Sequence, residues 1–141
     1  MPADAAVALA VLDDDRYLLQ LRDDIPGIFF PGHWGLFGGA MEPDEPAETC
    51  LRRELREELG IEVGPAEYFT EFSFDFPRHG RVLRYFYEVR IPAATAAGIV
   101  LSEGAGIAAF APRTILTKLR TVPYDAFAIW LHATRDASER R

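Results

Sequence analysis

The sequence predicts an α/β (α+β) sandwich built on a mixed β-sheet. Short apolar runs of strand length recur along the chain, and a helical repeat spans the middle from about Pro46 to Leu59. A second helical stretch follows Pro123. Strands around a central helix, with another helix at the end, bury their apolar faces most simply as packed layers. The chain has 141 residues without repeats, low-complexity stretches or a long linker, so 1–141 is read as one domain. Hydrophobic residues at 49% and charged residues at 26% give a globular composition and exclude a disordered chain.

The elements follow in order. Val7–Leu12 and Tyr17–Leu21 are apolar runs around Asp13-Asp14-Asp15 and predict a hairpin. Arg22 to Gly39 is rich in Gly and Pro and predicts a loop with a short strand near Trp34–Phe37. In the central helix Leu51, Leu55 and Leu59 fall at i, i+4 and i+8, one apolar stripe. Pro46 suits its first turn, Asp44 and Glu45 suit its positive end, and Gly60 suits the position just past its C-terminus. Ile61–Val63, Tyr68–Asp75 and Val82–Ile91 read as strands, the last two paired across Pro77–Gly80. Ala105–Ala111 reads as another strand. Short and long helices are expected from Pro112 to about Leu119 and from Pro123 to about Ala137, with Phe127, Trp130 and Leu131 of the last as core contacts.

A net charge of −7 disfavours long nucleic acid, whose phosphates an acidic surface repels. It leaves open a small phosphate ester bound through a divalent cation. No apolar run reaches the roughly 18–20 residues of a membrane helix. Ala5–Leu12 is short, has no basic leader and runs into three aspartates, so it is read as a strand and not as a signal peptide. These absences predict a cytoplasmic protein without a membrane partner, either monomer or homodimer. The single cysteine, Cys50, excludes an internal disulfide and is read as a small helix residue. His33, His79 and His132 show no metal-ligand spacing, and only His33 lies near the central helix.

The chemistry concentrates on that helix. At about 100° per residue, Glu54, Glu57 and Glu58 share an arc of roughly 100° beside the leucine stripe. Glu54 and Glu58 form a like-charged i, i+4 pair, whose repulsion a proton or a cation relieves. Hard divalent ions such as Mg²⁺ prefer oxygen ligands and share themselves with substrate phosphates. The plain alternative is a solvated acidic face with ordinary Arg53–Glu57 and Glu48–Arg52 pairs.

Residues 39–61 decide between these. They read Gly39, five residues, Glu45, seven residues, Arg53-Glu54-Leu55, one residue, Glu57-Glu58, one residue, Gly60-Ile61. The segment resembles the Nudix box, G-x5-E-x7-R-E-U-x-E-E-x-G-U, at nine constrained positions over 23 residues. The resemblance implies a Nudix-like α/β/α sandwich with the box as loop–helix–loop. It also implies Mg²⁺, or Mn²⁺ as substitute, held by Glu54, Glu57 and Glu58 with the Gly39 carbonyl. Arg53 would orient a glutamate and Glu45 would tie the loop to the helix, while Gly60 closes the box. Glu57 is the first choice of general base and Glu103, in a Gly-rich stretch beyond the box, the second.

The implied reaction is hydrolysis of a diphosphate bond in a nucleoside diphosphate linked to another moiety. A (deoxy)nucleoside triphosphate or oxidised-nucleotide pyrophosphohydrolase comes first, and a nucleotide-sugar or ADP-ribose hydrolase second. A non-catalytic nucleotide-sensing module is the reading of another class, and the intact set of box carboxylates argues against it. The Arg22–Gly32 approach and Trp34 are also similar to isopentenyl diphosphate isomerase, but a cysteine before the box is missing. Arg22, Arg78, Arg81 and Arg84 are candidate phosphate or base contacts, and one of Phe29, Phe30, Trp34 or Phe37 is a candidate to stack on a base.

Overall fold

A computed structural model describes residues 4–77, 80–99 and 104–139. The elements in chain order are β1 (Ala5–Leu12), β2 (Tyr17–Leu21), β3 (Trp34–Gly35), β4 (Phe37–Ala40), α1 (Ala47–Leu59), β5 (Glu67–Phe76), β6 (Gly80–Ile91), α2 (Ala93–Ala97), β7 (Gly106–Phe110), α3 (Pro112–Thr117) and α4 (Pro123–Glu139).

Among the described residues seven strands share one sheet, whose main order is β3-β2-β1-β6-β5, with β4 on β1 and β7 on β2. The sheet is mixed as expected: β1 and β6 run parallel from Ala5↔Arg84 to Leu12↔Ile91, and the remaining ladders are antiparallel. β1 is the centre and is buried on both faces. Its side chains alternate between them. Ala6, Ala8, Ala10 and Leu12 pack with Leu51, Leu55 and Leu59 of α1. Ala5, Val7, Leu9 and Val11 pack with Ile115 of α3 and with Ala128 and Ile129 of α4. The sheet therefore lies between α1 on one side and α3 with α4 on the other.

The hairpin, the loop after Arg22, the central helix and the last helix appear where the sequence places them. Asp15 takes the left-handed conformation in the hairpin turn (φ 66°), which Asp tolerates better than most residues. Gly60 does the same after α1 (φ 68°), and its N–H bonds to the Arg56 carbonyl at 2.9 Å.

Two expectations are corrected and one element is new. Ile61–Val63 forms no strand; Ile61 and Val63 pack onto the α1 side of the core as loop, and the Val63 carbonyl accepts Arg52 Nη1 at 3.1 Å. The short helix α2 was not anticipated. Phe127 and Trp130 are 45% and 48% exposed, not core. The buried face of α4 is instead Asp125, Ala128, Ile129 and His132, at i, i+3, i+4 and i+7. Among the described residues no helix is long and apolar enough to cross a membrane.

Candidate functional site

Two tight backbone approaches build the floor of the site. Gly38 (φ 152°) lies so close to Ala6 O on β1 that no side chain fits there. At Gly39 a Cβ would stand 2.6 Å from both carboxylate oxygens of Glu54. The glycines thus let β4 lie flat against β1 and let a glutamate of α1 reach across the strand. The leucine stripe fixes the rotation of the helix that delivers it.

The loop before α1 is tied down by Arg53. Its Nε donates to Glu45 Oε2 at 3.0 Å and its Nη2 to Glu45 Oε1 at 2.9 Å. Nη1 donates to Glu54 Oε1 at 3.0 Å and stands 3.6 Å from Glu57 Oε2. Glu45 also accepts the Glu42 backbone N–H at 3.0 Å. The Arg53 guanidinium holds the Glu45 carboxyl at about 2, well below its ordinary value, and Glu45 in return raises Arg53. Arg53 thus contacts both Glu45, in the loop before α1, and Glu54 on α1.

Glu54 is largely buried, with 17% of its side chain exposed. Burial pushes its carboxyl above the ordinary range, while the Arg53 charge and a hydrogen bond with Glu58 pull the other way. Glu54 and Glu58 line a cavity of about 300 Å³ together with Gly38, Gly39, Ala40, Gln20 and Arg22. Carboxylate oxygens that line one cavity suit a hard cation. Glu54, Glu58 and the Gly39 region therefore fit Mg²⁺ or Mn²⁺.

The third carboxylate, Glu57, is 60% exposed, and its Oε2 stands 3.6 Å from the Arg53 Nη1 that also bonds Glu54. Among the described residues no three metal-binding side chains are gathered at one point. The Gly39 and Ala40 carbonyls accept weakly from the buried Cys50 thiol at 3.6 and 3.5 Å. Burial pushes that thiol up to about 11, which suits an inert helix residue. Glu103, Arg78 and His79 lie outside the described residues, whereas Gly104, next to Glu103, lines the carboxylate cavity.

A second cavity of about 280 Å³ shares Gln20, Arg22 and Gly38–Ala40 with the first and extends to Phe29, Leu36, Val82, Arg84 and Asp125. Of the four aromatic candidates only Phe29 lines it. Phe37 is fully buried, Trp34 packs edge-on against Phe110, and Phe30 packs against Tyr124. Arg81 is exposed and donates to Ser73 Oγ, and His33 Nδ1 bonds to Pro31 O at 3.0 Å. The sequence reading does not single out Asp125, since an acid in a helix's first turn ordinarily sits at the surface beside the helix dipole. Its nearness to Pro123 gave no sign that it would be buried.

The Nudix-domain profile matches residues 1–128. A local stretch of 53 residues is 52% identical to a nucleoside triphosphatase, NudI, of Escherichia coli, and covers 38% of this chain and 37% of that protein. The match thus spans little over a third of the curated relative. Among solved structures, a MutT protein from Methanosarcina mazei is similar over 96% of both chains (TM-score 0.81, 22% identity). The Nudix domain of Shewanella oneidensis NrtR, solved with ADP ribose, is similar over 96% of this chain and 88% of that one (TM-score 0.78, 17% identity). At such identities these two speak for the fold alone. With a profile match over most of its length, the chain belongs to the Nudix family.

Proposed function

We propose that the protein hydrolyses a diphosphate bond in a nucleotide-like substrate with Mg²⁺ or Mn²⁺, a (deoxy)nucleoside triphosphate or its oxidised form being the first candidate. The carrying observation is that Glu54 and Glu58 line the same cavity as Arg22 and Gly39. The local likeness to a nucleoside triphosphatase agrees with the choice of a triphosphate.

Glu54 and Glu58 would hold the cation at the Gly39 turn, and Arg53 would keep Glu54 aimed at it. A bound divalent ion supplies charge neutralisation at the phosphoryl oxygens and acidifies water. Arg22, on the seam between the two cavities, is positioned to meet the phosphate chain. A glutamate in reach takes the proton as the water oxygen bonds to phosphorus and the bridging P–O bond breaks, the leaving phosphate departing with that electron pair. Glu57 is the first choice for this base and Glu103 the second.

The test is a product screen by phosphate release and mass spectrometry over canonical and oxidised nucleoside triphosphates, nucleotide sugars, ADP-ribose and dinucleoside polyphosphates. Each substrate is run with Mg²⁺, with Mn²⁺ and with chelator. Chelator-sensitive cleavage inside a diphosphate is expected, fastest on a triphosphate. Folded protein silent on the whole panel with both metals would overturn the reading in favour of a sensing module. Preference for ADP-ribose or a nucleotide sugar would keep the reaction and change the substrate.

A further inference from the structure

The connection between β2 and β3 walls both cavities, with Ile28 in the first and Phe29 in the second. Two backbone bonds close its neck, Arg22 N–H to His33 O at 2.9 Å and Gly32 N–H to Asp23 O at 3.2 Å. Beyond the neck, residues 24–28 donate and accept no hydrogen bond among the described residues. The chain turns back through Gly27 (φ 92°) and Phe30 (φ 48°). Glycine takes such angles freely, whereas an aromatic residue enters the left-handed region only where its surroundings hold it. Phe30 is held by the rings of His33 and Tyr124, with centroids 5.5 and 5.7 Å away.

A polar bond from inside the site also grips this connection. Arg22 Nε donates to the Phe29 carbonyl at 2.8 Å. A guanidinium carries five N–H donors in one rigid plane. Arg22 Nη1 and Nη2 have no hydrogen-bond or ion-pair partner among the described residues, and the side chain lines both cavities. The edge used for the loop and the edges left for a ligand therefore belong to one rigid group. An oxyanion bound at the Nη groups fixes the guanidinium plane, and with it the donor that holds Phe29. A loop with few other bonds lies at the low-stability end of the molecule, where one added constraint shows.

We propose that Arg22 couples phosphate binding to the order of residues 23–32. A phosphate held at its Nη groups tightens its hold on the Phe29 carbonyl and so fixes Ile28 and Phe29 as walls of the site. Arg22 is a positioning residue toward the loop, a role separate from its charge. The inference rests on the hydrolase reading for the phosphate at Arg22.

The test is nuclear magnetic resonance of the full chain with Mg²⁺, with and without methylenediphosphonate, a diphosphate analogue that resists cleavage. Backbone order parameters are read for residues 24–28, and calorimetry follows binding of the probe. Wild type is compared with Arg22→Lys, which keeps the charge but cannot hold loop and phosphate on one plane, and with Arg22→Met, which keeps neither. Melting curves establish the fold of both. In wild type the order parameters are expected to rise from about 0.6 toward about 0.85, the span from a mobile to a rigid backbone, as the probe saturates. In Arg22→Lys and Arg22→Met they should start lower and stay there. Wild type that binds the probe with these values unchanged would overturn the coupling, and so would a rise in Arg22→Lys equal to that in wild type. Wild-type protein that binds no probe would overturn the hydrolase reading itself, a result distinct from either of these.

Discussion

The Arg53 guanidinium grips Glu45 along two parallel edges, at 3.0 and 2.9 Å, while its remaining nitrogen holds Glu54 at 3.0 Å. One side chain thereby fixes the loop that leads into α1 and aims a carboxylate of α1. A lysine has a single point of donation and cannot reproduce the fork. Arg53→Lys is expected to keep the fold and to lower turnover by about 10- to 100-fold, the scale of a misplaced group. Turnover equal to wild type would deny Arg53 its orienting role.

The same clamp has a pH signature. The Glu45 carboxyl is lowered from 4.5 to about 2 in the folded chain. A depressed acid stabilises above its unfolded value, and that contribution is lost as pH falls from about 4.5 through about 2. Glu45→Gln should therefore melt below wild type at pH 6, with the gap closing toward pH 2. A gap that stays constant across that range would mean the charge of Glu45 plays no part.

Gly39 and Gly38 should respond differently to the same added methyl. At Gly39 the obstacle is the end of a flexible side chain, Glu54, whereas at Gly38 it is the backbone of β1 and φ is 152°. Gly39→Ala is expected to fold and to lose more than about 10-fold in cation-dependent turnover, because the carboxylate must move. Gly38→Ala is expected to lose soluble folded protein. Melting curves beside rates check both, and an active Gly39→Ala would detach Glu54 from the chemistry.

Much of this was legible because it is local. Leu51, Leu55 and Leu59 announce the helix, Gly60 its end, and the box spacing sets Glu45, Arg53 and Glu54 within one stretch of ten residues. Ile61–Val63 failed as a strand because three residues carry too little pattern to separate a strand from a core-facing loop. Phe127 and Trp130 failed because size was taken for burial, while small Ala128 and polar Asp125 and His132 face the sheet. The wall of the second cavity was illegible for a different reason. Arg84 and Asp125 are separated by 41 residues, and only the parallel β1–β6 ladder and the packing of α4 join them.

A buried histidine makes acid stability testable. His132 is 2% exposed; the Tyr17 hydroxyl meets its Nδ1 at 2.6 Å, and Glu88 Oε1 lies 3.2 Å from its Nε2. Burial, with the nearby Arg135 charge, lowers it to about 4 against the pull of Glu88. The unfolded chain then binds a proton that the folded chain refuses. Stability is full above about pH 6.5 and falls as pH drops toward 4, by on the order of 3 kcal/mol if the whole shift is realised. Denaturant melts between pH 7 and 4 should show this slope in wild type and a shallower one in His132→Gln. Parallel slopes would remove His132 as its source.

Cation binding offers a readout that does not need turnover. An ion that binds only the folded chain stabilises it by about 2.7 kcal/mol at 100 times its Kd. Mg²⁺ should raise the melting temperature of wild type, chelator should reverse the rise, and Glu54→Gln and Glu58→Gln should each blunt it. A rise that survives in both variants would place the cation away from this pair.

Glu57 is more exposed than Glu54, which makes it the cleanest site for asking which carboxylate is the base. With 60% of its side chain in solvent and its Oε2 3.6 Å from Arg53, its charge contributes little to the fold. Glu57→Gln should melt within about 0.5 kcal/mol of wild type. As a general base it should nevertheless cost at least about 10²-fold in turnover. Arg53 already holds Glu54, so losing the looser contact to Glu57 leaves the clamp in place and confines the effect to proton transfer. Near wild-type turnover in Glu57→Gln would pass the role to another glutamate, with Glu103 next to be replaced.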